Sequence, residues 1–279
     1  MIVKIFSDFC DSETCKKNFE VICGFKNIPT YGIDKNVYIT TKNDYTHAII
    51  INKAMPILTI PKSNVIGFAF EPREFMNITQ PFVEYAIKHV GKYFIGNADY
   101  LPAPFIEGFG YMWHSNPHKQ IDIKYKTNCM SIVLSNKTQS FGHRYRHQIV
   151  SEIIRLNLPI DIYGNGSIAY NYSHVKGGFN DAEPYENYMY SICIENFENS
   201  HYISEKSMTP MMFNCVPIYW GCKNINSYFN EVIAMTGNID CDIQTIVEIL
   251  KNPTQYYRET YTSKNKKTVN LLENLETLF

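Results

Sequence analysis

Residues Ser191 to Gly221 read SICIENFENSHYISEKSMTPMMFNCVPIYWG. An apolar run, Ser191 to Ile194, ends in the polar pair Glu195-Asn196. A short polar loop follows, then a predicted helix from about Ile203 to Phe213, and a second apolar run, Val216 to Trp220, closed by Gly221. Strand, loop, helix and strand in that order make one parallel crossover unit. Ligands of such sheets bind where strand C-termini meet helix N-termini. Glu195, Asn196, Tyr202, Glu205 and Lys206 all fall at that edge. On a helix Tyr202, Glu205 and Lys206 are spaced i, i+3, i+4, which predicts one shared face at the first turn. A phenol, an acid and a base there suit a ligand carrying hydroxyls and phosphates, because a helix N-terminus favours anions.

Repeated strand and helix alternation extends on both sides of this unit and predicts an α/β architecture with parallel sheets. Upstream, Ile2–Phe6, Val37–Thr40, His47–Ile51, Val65–Phe70 and Tyr93–Ile95 read as strands, with helices over Asp11–Cys23 and Asn77–Val90. The stretch from His118 to Asn128 turns polar without periodicity and is taken as a linker. Beyond it Met130–Leu134 and Ile160–Tyr163 are predicted strands flanking a helix over Tyr145–Leu156. A strand at Val232–Met235, a helix near Asp242–Leu250 and a helical C-terminus to about Leu278 complete the chain. The expected domains are therefore 1–120 and 128–279.

The 279 residues suffice for two modest domains, and 45% hydrophobic with 19% charged residues describe an ordinary globular protein. A formal net charge of -1 leaves no basic excess for nucleic acid as a main partner. No apolar run reaches membrane-spanning length, and MIVKIFSDFC turns polar too soon for a signal peptide. The expectation is a cytoplasmic protein with no membrane span and with reduced cysteines, since none of the eight forms a CxxC pair.

The central stretch resembles the donor-binding signature of the α1,3-fucosyltransferases, glycosyltransferase family 10. Three blocks carry the resemblance: Ile194-Glu195-Asn196, Tyr202-Ile203-Ser204-Glu205-Lys206 and Val216-Pro217-Ile218-Tyr219-Trp220-Gly221. It is strongest over Met130 to Gly221. The resemblance implies the GT-B fold, two Rossmann-like α/β domains facing across a cleft, with an N-terminal acceptor domain and a C-terminal nucleotide-sugar domain. In that fold C-terminal helices often pack back on the first domain. The implied reaction is inverting transfer of L-fucose from GDP-fucose to a glycan hydroxyl, most simply α1,3 to N-acetylglucosamine. No cofactor or metal is expected. Animal and plant members usually carry a membrane anchor, so its absence here fits an enzyme of bacterial or viral type, or a trimmed chain.

By the same resemblance Lys206 neutralises the donor's diphosphate, Glu205 accepts hydrogen bonds from ribose or sugar hydroxyls, and Tyr202 and Asn196 line the pocket. The second phosphate-binding cation is expected at the start of the helix that follows the first strand of the donor domain. Arg146 sets Ile149, Val150 and Ile153 on the apolar side; Arg144 is the alternative. The base is expected where a strand of the first domain ends, at Glu71, with Glu74 as alternative and Arg73 as its ion-pair partner or a phosphate contact. Each charge also has a plainer reading as solvated surface. Asp240-Cys241-Asp242 imitates a metal motif, but Asp240 or Asp242 as a helix N-cap explains it. His114 and His118, four apart, are separated by Pro117 and make no metal pair on one helix. Pro210 inside the signature helix departs from the family, and Asn214 replaces the glycine that often ends it. Another nucleotide deoxysugar as donor, or a binding protein without catalysis, remain the competing readings.

Overall fold

His47-Ala-Ile-Ile-Ile51 has no polar residue after its first, as a strand buried on both faces requires. In the computed structural model of the chain it is β3 (His47–Ile51), inside a parallel sheet. The structure describes residues 1–22, 36–108, 126–258, 260 and 271–279. Cys23, His114, His118 and most of the expected linker lie outside the described residues.

The first sheet contains β1 (Ile2–Ser7), β2 (Tyr38–Ile39), β3, β4 (Val65–Phe68), β5 (Lys92–Ile95) and β6 (Phe105–Glu107), in the order β2-β1-β3-β4-β5-β6 with every ladder parallel. Its helices are α1 (Ser12–Ile22), α2 (Arg73–Met76) and α3 (Gln80–His89). Alternation along β3 sends Ile49 and Ile51 to one face with Val3, Ile5, Ile66 and Phe68, while Ala48 and Ile50 meet Phe82, Ala86 and Tyr93 on the other. The last helix, Leu271–Leu278, brings Leu275 and Leu278 into the first of these clusters.

The second sheet is built from β7 (Asn128–Val133), β8 (Asp161–Tyr163), β9 (Val175–Gly177), β10 (Tyr188–Asn199), β11 (Val216–Cys222) and β12 (Ile233–Ala234), in the order β12-β11-β10-β7-β8-β9. Helices α4 (Phe141–Arg155), α5 (Glu205–Met212), α6 (Ile239–Lys251) and α7 (Pro253–Tyr256) accompany it. Ile149, Val150 and Ile153 of α4 and Ile243, Ile246 and Ile249 of α6 bury against Met130, Ile132, Tyr190, Ile192 and Ile218. The chain groups into two units: Met1–Lys119 with Asn199–Tyr202 and Lys266–Phe279, and Gln120–Glu198 with Ile203–Asn265. Among the described residues no helix is long and apolar enough to cross a membrane.

Several expected boundaries move. The helix predicted over Asn77–Val90 is α3 and starts only at Gln80, because Asn77 takes a left-handed conformation (φ 48°) that ends the short α2 just before it. The strand predicted to reach Phe70 stops at Phe68, so Glu71 stands three residues beyond it. In the central stretch β10 runs on through Glu195 and Asn196 to Asn199, where a loop is expected from the polar residues. Strands β6 and β9 have too few apolar residues to announce themselves.

Candidate functional site

The crossover β10–α5–β11 sets the site. Helix α5 begins at Glu205 with Ser204 as its N-cap, whose hydroxyl oxygen accepts from the Lys206 amide at 3.3 Å. The same hydroxyl donates to Glu195 Oε2 at 2.6 Å, and the Ser204 amide donates to Glu195 Oε1 at 2.8 Å. Pro210 lies inside α5 but past its first turn, and Asn214 adopts φ 53° just beyond the helix, so the cap is untouched by either departure.

Lys206 Nζ is 3.0 Å from Ser204 Oγ, 3.1 Å from Glu205 Oε1 and 3.4 Å from Glu195 Oε2. Burial works against its charge, but the carboxylates of Glu195 and then Glu205 outweigh it and hold the ammonium above the ordinary lysine range. With its side chain 23% exposed, Lys206 is still open to a ligand. Glu195 has no exposure at all. Room for it comes from two glycines. A Cβ on Gly221 (φ 151°) would lie 2.4 Å from Glu195 Cγ, and one on Gly142 would lie 1.8 Å from the Glu195 carbonyl oxygen.

Helix α4 contributes the second cation. Ser140 and His143 form a capping box, each side chain meeting the other's backbone amide, so the helix starts at Phe141, four residues before the predicted Tyr145. That places Arg146 in its second turn, 6% exposed, with its guanidinium donating to the Ile194 carbonyl. Burial lowers the Arg146 pKa, opposed first by Glu195. Arg144 instead is exposed and donates to the Thr138 and Gln139 carbonyls at 3.3 and 3.1 Å. His143 is buried, and burial followed by the nearby Arg146, Lys137, Lys206 and His147 pulls its pKa down to about 4.

The expected residues thus fall out unequally. Arg146, Glu205 and Lys206 come together around Glu195. Asn196 follows Glu195 in β10, with Oδ1 buried and without a partner among the described residues. Tyr202 is buried but precedes the N-cap by two residues and groups with the first unit, so the predicted shared helical face holds only Glu205 and Lys206. Glu71 is half-buried in the loop between β4 and α2. Glu74 accepts from the Asn199 amide at 2.8 Å. Arg73 is not hydrogen-bonded to Glu74; it donates to the Asp99 carbonyl at 2.6 Å and to Asn97 Oδ1 at 3.2 Å.

The Asp240 and Asp242 expectation is corrected. Asn238 caps α6, its side chain accepting from the amides of Asp240 and Cys241. Asp242 is instead a buried acceptor for the Thr236 amide and hydroxyl, the Gly237 amide and the Tyr145 hydroxyl. Sequence reasoning gave Glu195 no role, although a carboxylate closing an apolar run signals one. His143 was hidden because it replaces the Glu or Gln of the usual capping box.

Two parallel six-stranded sheets with their helices make an α/β fold like that of the GT-B glycosyltransferases. The chain belongs to glycosyltransferase family 10 (fucosyltransferase), whose C-terminal model matches residues 123–270. Among solved structures it is similar to an alpha1,3-fucosyltransferase with GDP, at 13% identity, covering 93% of this chain and 82% of that one with a TM-score of 0.56. The alpha1,3-fucosyltransferase with GDP-fucose matches at 14% identity over 93% and 82% of the two chains, TM-score 0.54. An alpha-glucosyltransferase in complex with UDP and a 13-mer DNA matches at 11% identity over 96% and 95%, TM-score 0.54. No curated protein sequence matches the chain.

Proposed function

We propose that the protein transfers L-fucose from GDP-fucose to a hydroxyl of a glycan with inversion, most simply in α1,3 linkage to N-acetylglucosamine. The observation that carries the reading is the pairing of Arg146 and Lys206 around Glu195 at the start of α5. Lys206 and Arg146 hold the diphosphate and stabilise the charge that develops on it as the glycosidic bond to fucose breaks, in place of a metal. The α5 N-terminus adds its own attraction for anions. Asn196 turns its free carbonyl oxygen to a donor hydroxyl or ring N–H, while Glu205 and Tyr202 position the ribose and sugar. Glu71 takes the proton of the attacking hydroxyl, and the nucleoside diphosphate leaves from the opposite face of the sugar. A reducing, cytoplasmic setting belongs to the same reading.

Calorimetric titration with GDP, UDP and GDP-fucose tests the donor. The expected result is binding of GDP and GDP-fucose, but not UDP, without added metal. A preference for UDP would keep the fold and discard fucose. Absence of binding by all three would leave a glycan-binding protein.

A further inference from the structure

We infer that Glu195 is a positioning residue for this site: its buried carboxylate is a resident counter-anion that holds the Lys206 ammonium on the cap of α5, ready for the donor's diphosphate. The inference rests on the donor-site reading above and adds to it a residue that touches no substrate.

The Ser204 hydroxyl is the link. A hydroxyl has one proton and two acceptor lone pairs. Because a carboxylate can only accept, the 2.6 Å contact to Glu195 Oε2 commits the Ser204 proton to Glu195. Both lone pairs are then free, and Lys206 takes them, through its amide at 3.3 Å and its Nζ at 3.0 Å. Glu195 Oε2 also lies 3.4 Å from Nζ, so the same carboxylate orients the relay and attracts the charge directly. Oε1 is fixed by the Ser204 amide at 2.8 Å and the Tyr219 hydroxyl at 3.4 Å.

A carboxylate without exposure is costly to bury unless cations answer it. The two that do are those assigned to the diphosphate. Before a donor arrives, Arg146 and Lys206 repel each other in a dry setting, and Glu195 offsets that repulsion. The groups facing Lys206 are Glu195 from β10, Glu205 from its own helix, Arg146 and the neutral His143 from α4, and the Cys193 thiol from β10. Among the described residues Glu195 and Glu205 favour its charge, and Glu195 comes first.

The test follows the Lys206 side chain by NMR, through its 13Cε signal, in the full chain over about pH 7 to 12. In the wild type Lys206 titrates above an ordinary lysine. In Glu195→Gln its midpoint falls by at least about one pH unit, tenfold in proton affinity. Calorimetry with GDP gives the functional counterpart: between about pH 7 and 10 the variant loses about two- to threefold more affinity than the wild type. An unchanged Lys206 midpoint in Glu195→Gln overturns the inference, since a merely structural role leaves it in place. Should that variant fail to fold, Glu195→Asp retracts the carboxylate by one methylene; a lowered midpoint supports the inference and an unmoved one overturns it. Failure of the wild type to bind GDP would overturn the donor-site reading alone, because the Lys206 titration needs no ligand.

Discussion

The Ser204 amide donates to Glu195 Oε1 at 2.8 Å, tying the start of α5 to a strand residue nine positions earlier. That bond turns a crossover into a site, because it fixes where the first turn of α5, and so Lys206, points. The central cation is therefore positioned by the strand that precedes its helix.

Replacing Lys206 with Ala removes the only side-chain ammonium paired with Glu195 among the described residues. Turnover of GDP-fucose is expected to fall by about 10²–10³-fold, as when one electrostatic stabiliser of a transition state is removed. Far-UV circular dichroism should be unchanged. Full activity in this variant would sink the donor-site assignment.

Glu71 and Glu74 are separable by substitution. Glu71→Gln should reduce kcat by about 10²-fold or more while GDP still binds, as expected for a lost general base. Glu74→Gln leaves the Asn199 amide an oxygen to donate to, and should keep most of the turnover. The reverse result would exchange the two roles.

Gly142→Ala tests the close approach of α4 to β10. Its Cβ would lie 1.8 Å from a main-chain oxygen, so backbone must move rather than a side chain swing away. A loss of about 3 kcal/mol in urea unfolding is expected, with weakened GDP binding in whatever folds. Wild-type stability would show that the two elements do not meet so closely.

Asp242 anchors α6 to Tyr145 of α4 through a carboxylate that is 1% exposed and accepts four hydrogen bonds. In Asp242→Asn an NH2 group faces donors it cannot pair with, which should cost about 2–4 kcal/mol. GDP affinity of the folded fraction should hold. A metal-dependent change in activity on the same substitution would instead revive the metal reading of Asp240-Cys241-Asp242.

His143 gives a pH signature. Its folded pKa, about 4, lies below the unfolded value of 6.5, so between these the unfolded chain binds the extra proton. Stability from this group is present above about pH 6.5 and is lost as pH falls toward 4. Urea denaturation of the wild type from about pH 7 to 4 should therefore show a loss that His143→Gln lacks. Parallel curves for the two proteins would mean that the histidine is not held neutral.

The α/β character and the crossover were legible because parallel strands buried on both faces need unbroken apolar runs, such as His47–Ile51 and Val216–Trp220. The Ser-Glu-Lys block was legible too, since a cap and a first-turn acid and base are local features. Strands β6 and β9 were not, being too short for a periodic signal. Tyr202 was misread as helical because spacing alone cannot say on which side of the cap a residue falls.

The sequence by itself determined the element types, the family and the charged residues available for chemistry, all of which depend on neighbours a few positions apart. Only the tertiary structure decided that Arg146 rather than Arg144 is buried, bonded to the Ile194 carbonyl, and that Glu195 of the same strand pairs with Lys206. Those choices depend on which side chains are buried against a different element. Burial is set by the approach of α4 and β10, and by the glycines that permit it, none of which the local pattern encodes.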